Sequence, residues 1–188
     1  MFEVGYLHID NPIATISSYH QFAPEGPGGL FILDGFDLDD VPLAEMESCL
    51  LKIKEHRGRR SVGLSVTCSL DEPLLAAARI ANRNLCLLEL RLSKIRDPVR
   101  LLELIPSLKR CGVTLSLRIR PEELSDALLQ RLNETELDLI HLDLRGLNGA
   151  GPRIVKKAKD MRGPAIMALA DVGEFEDAKA LLSMGAEV

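Results

Sequence analysis

The chain has 188 residues, of which 46% are hydrophobic and 27% are charged, and its formal net charge at pH 7 is −5. This composition excludes a disordered chain, and no apolar stretch approaches the roughly 20 residues that span a bilayer, so no membrane association is expected. The acidic balance disfavours a nucleic-acid-binding surface.

The cysteines predict neither a metal site nor a disulfide framework. Cys49, Cys68, Cys86 and Cys111 form no Cys-x-x-Cys pair, and no histidine lies at metal-ligand spacing from any of them. The first eight residues have no basic region followed by an apolar run, so the sequence predicts no signal peptide. We therefore expect reduced, structural thiols in a cytoplasmic protein, with Cys86 as a small buried filler.

Short apolar runs alternate with amphipathic runs along the chain. The apolar runs predict seven strands, at residues 12–17, 29–33, 61–66, 85–92, 113–119, 137–144 and 164–168. The amphipathic runs predict six helices, at residues 43–56, 72–81, 98–110, 121–132, 152–161 and 175–184. Asp71 is the better N-cap candidate, and Ser125 inside the fourth helix is the weaker one. Alternating strands and helices predict one α/β domain over residues 1–188 with a mainly parallel sheet.

Four of the predicted strands alternate apolar with polar residues. In residues 88–92 three leucines occupy one face, and Glu89 and Arg91 occupy the other. Strands of an open sheet covered on both faces should be apolar throughout, whereas a barrel gives each strand a helix-facing side and a lumen side. The sequence therefore predicts a (β/α)8-type TIM barrel rather than a doubly wound sheet.

The chain length adds a further expectation. TIM barrels run to about 250 residues with roughly 200 as the lower limit, so this chain is about one βα unit short. The final unit is therefore expected to be missing from this sequence, and either the chain is truncated or a partner, such as a second copy in a homo-oligomer, covers the open edge.

Parallel barrels place their binding groups at the carboxyl ends of the strands and in the following loops. Four arginines and a lysine are predicted to converge there with three aspartates and several smaller polar groups. These positions are Ser17, Ser18, His20, Asp34, Gly35, Thr67, Cys68, Arg91, Ser93, Lys94, Arg118, Arg120, His141, Asp143, Arg145 and Asp171.

Two interpretations fit these charges. In the first, the cations bind a small phosphate- or carboxylate-bearing molecule, because guanidinium groups hold such anions through paired hydrogen bonds. The predicted anion-binding residues are Arg91, Lys94, Arg118, Arg120 and Arg145. In the second, Glu89 and Asp143 neutralise Arg91, Arg118 and Arg145 in an internal ion-pair network that fills the lumen.

His141 and Asp143 lie on the same face of one predicted strand. They are the candidate catalytic residues, since a histidine beside a carboxylate is suited to acid–base work. The alternative is that His141 is a hydrogen-bonded core residue without a catalytic role.

The second half of the chain resembles a known family. Residues 139–145, 164–172 and 176–188 are similar to the final third of FMN-dependent TIM barrels of the tRNA-dihydrouridine synthase and dihydroorotate dehydrogenase type. Residues 88–93 resemble the family's Glu-Ile-Asn strand, residues 113–120 its Val-Thr-Val-Lys-Ile-Arg strand, and residues 11–13 with 29–35 the opening of archaeal members. The resemblance implies a TIM barrel that binds FMN and oxidises or reduces a pyrimidine-like substrate.

Several of the family's functional residues are replaced here. Arg91 stands at the position of the flavin- and substrate-binding asparagine, Arg118 at that of the flavin-contacting lysine, and no cysteine occurs at positions 93–94. Asp143 replaces a second histidine, and residues 169–170 are Leu-Ala where the family has Asn-Gly beside the flavin phosphate. We therefore expect a diverged member that binds a small anionic ligand. The alternatives are an active FMN-dependent oxidoreductase and a non-catalytic pseudoenzyme.

Overall fold

The computed structural model describes residues 2–5, 7–9, 14–19, 29–57, 61–94, 98–147, 150–160, 163–170 and 175–187. The strands are β1 (Phe2–Val4), β2 (Leu7–Ile9), β3 (Ala14–Ser18), β4 (Leu30–Asp37), β5 (Ser61–Thr67), β6 (Leu87–Arg91), β7 (Thr114–Ile119), β8 (Leu139–Asp143) and β9 (Ala165–Leu169). The helices are α1 (Leu43–Arg57), α2 (Asp71–Arg83), α3 (Pro98–Lys109), α4 (Asp126–Asn133), α5 (Gly151–Asp160) and α6 (Phe175–Ser183). None of these helices is long and apolar enough to cross a lipid bilayer.

Strands β3 to β9 form one parallel sheet in which each strand pairs with its neighbours in sequence order. Helices α1 to α6 follow strands β4 to β9 in turn. A doubly wound sheet reverses its strand order at a switch point, whereas a (β/α) barrel does not. The seven strands therefore confirm the predicted TIM-barrel fold with one strand fewer than eight in the described residues.

The two faces of the sheet form two separate apolar clusters. The larger cluster lies between the strands and the helices and includes Phe31, Leu64 and Leu115. The smaller cluster lies in the lumen and includes Ile32 and Leu87, which occupy the opposite strand face. The period-two alternation read from the sequence therefore separates helix-facing from lumen-facing side chains as predicted.

A hairpin that the sequence analysis did not predict closes the amino-terminal end of the lumen. Strands β1 and β2 pair antiparallel, with Phe2 opposite Ile9. Val4, Leu7 and Ile9 are buried and belong to the lumen cluster. Gly5 turns the chain with φ +57°, and a Cβ there would lie 2.7 Å from Thr114 Oγ1 at the start of β7, so the turn fits against the barrel only as glycine.

The predicted helix at 121–132 is interrupted. Pro121–Glu123 form a short 3-10 turn, and α4 begins at Asp126 after Ser125, whose side chain accepts a hydrogen bond from Leu128 N at 3.1 Å. Ser125 is therefore a true N-cap. The prediction for Asp71 was wrong, because it is the first residue of α2 and Leu70 occupies the cap position without a side-chain bond.

Replacing Ile9 tests whether the hairpin is part of the core. Ile9→Ala removes a side chain with no exposed surface from the lumen cluster, and we expect the free energy of unfolding to fall by about 2–4 kcal/mol. Leu51→Ala, at a half-exposed position on α1, is the control and should change it by about 0.5 kcal/mol or less. Urea denaturation measures both, and equal effects of the two variants would contradict this account of the hairpin.

Candidate functional site

The centre of the upper lumen is the guanidinium group of Arg118 on β7. Its Nη2 and Nε lie 2.7 and 3.2 Å from Asp143 Oδ2 on β8, and its Nη1 lies 3.2 Å from Asp34 Oδ2 on β4. Glu89 Oε1 on β6 is 3.9 Å from the same Nη1. Arg118 is only 6% exposed, and a buried charge of this kind is stable only when it is paired. Three strands therefore supply carboxylates to one cation.

Asp143 is held from two sides. Besides its bonds to Arg118, it accepts bonds from Nε and Nη2 of Arg145, both at 2.8 Å. Burial alone would raise the pKa of the Asp143 carboxyl, but the hydrogen bonds and positive charges of Arg145 and Arg118 outweigh it and hold that pKa well below its usual range. Asp143 therefore stays ionised and bridges the two arginines.

His141 is paired with a different carboxylate. Its Nδ1 lies 2.5 Å from Glu89 Oε2, and both residues are completely buried. The predicted acid–base pair joined His141 to Asp143, but the described hydrogen bonds of these two residues lead to Glu89 and to the arginines respectively. His141 Nε2 and Glu89 Oε1 have no hydrogen-bond partner among the described residues, and the same holds for Ser65 Oγ and Ser116 Oγ. The lumen below Arg118 is therefore polar, and several of its described side-chain atoms lack a hydrogen-bond partner among the described residues.

Above this network the structure contains a small pocket at the barrel mouth. Its volume is about 70 Å³, and it is lined by Asp34, Arg91, Ser93, Arg118, Arg120, Asp143 and Arg145. Four arginines against two aspartates leave this lining with an excess of positive charge.

Arg91 and Arg120 are the less engaged of these cations. Arg91 Nη1 lies 3.4 Å from Asp34 Oδ1, and its buried Nε has no acceptor among the described residues. Arg120 is about half exposed, and its Nη1 lies 3.9 Å from Glu122. The pocket therefore offers guanidinium donors to an incoming anion.

The structure brings seven of the sixteen residues that the sequence placed at the mouth into the lining of this pocket. Four of the five predicted anion-binding residues line the pocket, together with Asp34, Ser93 and Asp143. The side chain of Lys94, like His20 and Asp171, lies outside the described residues. Arg118 and Arg145 form ion pairs with Asp143, as the second interpretation predicts, whereas Arg91 pairs with Asp34 and its Nε has no hydrogen-bond partner among the described residues. Anion binding stays a prediction.

The sequence reasoning missed two contacts. It assigned Glu89 to the arginines, which the ion pair with Arg118 at 3.9 Å bears out, but it did not identify His141 as the hydrogen-bond partner of Glu89 or Asp34 as a second partner of Arg118. The alternation along each strand indicated that all of these side chains face the lumen. The alternation alone does not say which carboxylate contacts which basic side chain.

Two of the cysteines are poorly suited to nucleophilic chemistry. Burial raises the pKa of the Cys68 thiol at the end of β5 to about 11, and its Sγ lies 3.2 Å from Asp39 Oδ1. Burial also raises the pKa of the Cys86 thiol to about 11. Both thiols are therefore protonated at neutral pH, as expected for structural cysteines.

No protein-family model matches this chain, and no curated protein matches its sequence. Solved structures do match it. For 3-dehydroquinate dehydratase from Geobacillus kaustophilus the TM-score is 0.60 at 11% identity, covering 86% of this chain and 71% of that chain. For the type I 3-dehydroquinate dehydratase from Clostridium difficile the TM-score is 0.61 at 10% identity, covering 92% and 80%. For a mutant tryptophan synthase α-subunit from Pyrococcus furiosus the TM-score is 0.63 at 13% identity, covering 84% and 72%.

These similarities show the fold alone, because the identities are so low. They give no support to the specific resemblance to dihydrouridine synthases or dihydroorotate dehydrogenases, since the matched enzymes belong to other families. The chain thus has the TIM-barrel fold of several unrelated enzymes.

The pH dependence of stability tests the paired state of Asp143. Asp143→Asn leaves the charge of Arg118 short of a buried partner, and we expect it to lower the free energy of unfolding by about 3 kcal/mol at pH 7. Because the folded-state pKa of Asp143 is depressed, this contribution is present above the unfolded-state pKa of about 4 and is lost as the pH falls below it. Chemical denaturation from pH 7 to pH 3 measures the difference.

Asp160→Asn is the matched control, since it removes an exposed ion pair with Lys156 on α5. It should cost about 0.5 kcal/mol or less. A cost for Asp143→Asn that is small at pH 7, or that does not shrink in acid, would contradict the ion-pair account.

Proposed function

We propose that this protein binds a small anionic molecule, carrying a carboxylate or a phosphate, at the carboxyl ends of its barrel strands. The observation that carries the proposal is the convergence of Arg91, Arg120 and Arg145 on a polar pocket beside the ion-paired Arg118. This end of a parallel barrel is where TIM-barrel proteins bind their ligands.

The charge balance supports an anion rather than a cation. Arg118 and Arg145 face Asp34 and Asp143 in the pocket lining, so these four charges offset one another. Arg91 and Arg120 then remain with longer ion pairs, to Asp34 at 3.4 Å and to Glu122 at 3.9 Å, so that arginines outnumber aspartates by two within the lining itself. A carboxylate or phosphate entering the pocket would form, with the guanidinium groups of Arg91 and Arg120 that line it, the charge-assisted bonds that such groups favour.

The residues present do not fit FMN well. Arg118 stands at the position of the family's flavin-contacting lysine. Its ion pairs with Asp34, Asp143 and Glu89 hold the side chain in place, so it cannot move to contact a flavin ring. The pocket of about 70 Å³ beside Arg118 also lacks room for an isoalloxazine ring at that position, since sites for organic cofactors measure roughly 300–1,000 Å³. Anion binding at this mouth needs no flavin.

His141 is the better acid–base candidate of the two that the sequence offered. Its buried pairing with Glu89 orients the imidazole, whereas the lowered pKa of Asp143 makes that carboxylate a weak base. If the His141–Glu89 pair takes part in catalysis, the protein is an enzyme. If the pair only fills the core, the protein is a pseudoenzyme. Turnover that is lost in His141→Gln while anion binding persists would favour the enzyme.

Thermal unfolding in the presence of small anions tests the binding proposal. Sulfate, phosphate and citrate should raise the melting temperature of the wild-type chain in a saturable manner. Arg120→Ala and Arg145→Ala each remove a charged donor from the pocket, and we expect the apparent affinity to fall by about tenfold or more.

Arg83→Ala is the matched control, since Arg83 is exposed on α2 and pairs with Glu47 of α1. It should leave the anion-induced shift unchanged. No shift with any anion, or an equal loss in Arg83→Ala, would refute the site.

The absorbance spectrum tests the flavin alternative. We expect the purified protein to be colourless and to retain no FMN after incubation and gel filtration, because Arg118 is enclosed by carboxylates and the pocket beside it lacks room for an isoalloxazine ring. Retention of FMN in a one-to-one ratio would show that the resemblance to flavin enzymes extends to the cofactor.

A further inference from the structure

The pocket at the mouth adjoins a second, larger cavity. This cavity has a volume of about 310 Å³ and is lined by Arg120, Pro121, Glu122, Asp143, Arg145 and Leu147. It shares Arg120, Asp143 and Arg145 with the smaller pocket. We call the smaller pocket the inner lobe and the larger cavity the outer lobe of one site.

The two lobes differ in size. The inner lobe of about 70 Å³ has room for a group of a few heavy atoms, since a single water needs about 10–15 Å³ of such space. The outer lobe of about 310 Å³ lies near the lower end of the range for small-molecule pockets, roughly 300–1,000 Å³. The inner lobe is therefore suited to a headgroup, and the outer lobe to the body that carries it.

They also differ in charge. The inner lobe has an excess of arginine over aspartate, whereas the two arginines of the outer lobe are matched by Glu122 and Asp143. Pro121 and Leu147 add apolar surface only to the outer lobe. A negative headgroup is thus favoured in the inner lobe, and an uncharged body in the outer lobe.

The walls of the outer lobe are held by local hydrogen bonds. Arg120 N donates to Glu123 Oε2 at 2.8 Å and thereby fixes the turn that carries Pro121 and Glu122. On the other side Gly146 has φ +78°, and Leu147 N donates to Leu144 O at 3.2 Å. Leu147 packs against the larger apolar cluster between the strands and the helices. The outer lobe is therefore built by the two loops that follow β7 and β8.

From these two lobes we infer that the ligand is an anion with a single charged headgroup on an uncharged, partly apolar body. The headgroup binds between Arg91 and Arg120 in the inner lobe, beside the ion-paired Arg118, and the body lies against Pro121 and Leu147. This inference rests on the proposed anion-binding function and narrows it to a ligand class. A second negative group on the body would enter a lobe without excess positive charge and would gain little affinity there.

Calorimetric titration with two pairs of probes tests the inference. Each pair shares a headgroup and differs by an uncharged ring: phenyl phosphate against inorganic phosphate, and benzoate against acetate. We expect the ring to tighten binding by about tenfold or more in at least one pair, since it removes apolar surface from water in the outer lobe. Leu147→Asn should abolish that advantage and leave the affinity for inorganic phosphate and acetate within about twofold of wild type.

Leu85→Asn is the control, because Leu85 is 75% exposed and lines a different cavity beside Cys86. It should leave all four affinities unchanged. Equal binding of both members in each pair would overturn the inference and leave the proposed function standing, whereas failure of all four probes would overturn both. A Leu147→Asn variant that keeps the advantage of the ring, or that weakens all probes equally, would also overturn the inference.

Discussion

The ion pairs of Arg118 are the interaction on which the upper half of the barrel depends. Its guanidinium group contacts Asp34, Glu89 and Asp143 from three different strands of the sheet, and Arg145 closes the network above Asp143. A buried cation without these partners would cost several kcal/mol, so the strands must remain in the register that brings the carboxylates together. The same constraint makes Arg118 a structural residue of the site, whereas Arg91 and Arg120, with longer ion pairs, are the cations that we propose a ligand engages.

The lumen is divided into layers of different chemistry. Its lower layer is filled by aliphatic side chains and by the β1–β2 hairpin, so this end is a packed core. Its middle layer holds the Glu89–His141 pair, and its upper layer holds the charged network and the pocket. The helix-facing side chains of β5 to β9 are aliphatic, so the polar groups of these strands lie on the lumen side, and the low aromatic content of 4% reflects these aliphatic layers.

The sequence predicted the features that depend on local pattern. The apolar periodicity predicts the seven strands and six helices. Because successive side chains of a strand point to opposite faces, it also predicts that Glu89, Arg118 and His141 face the lumen. The β1–β2 hairpin was missed because each of its strands has only three residues. The pairing of His141 with Glu89 joins β8 to β6 across β7, and that choice depends on register and rotamer rather than on any local signal.

The resemblance to flavin enzymes rested largely on strand patterns such as residues 113–120. Alternating aliphatic and polar residues are common to parallel barrels, so these patterns identify the fold more securely than the chemistry.

The most direct test of the central claim follows the arginine side chains themselves during anion titration. Nitrogen-15 NMR resolves the Nε–Hε groups, and sulfate is a suitable probe because its charge does not change near neutral pH. The account predicts that the Arg91 Nε–Hε resonance shifts saturably, since this buried donor has no acceptor among the described residues, while the Arg118 resonance stays in place because Asp143 already holds its Nε. An Arg91 resonance that does not respond to sulfate, or an Arg118 resonance that moves with it, would contradict the division between a structural and a ligand-binding arginine.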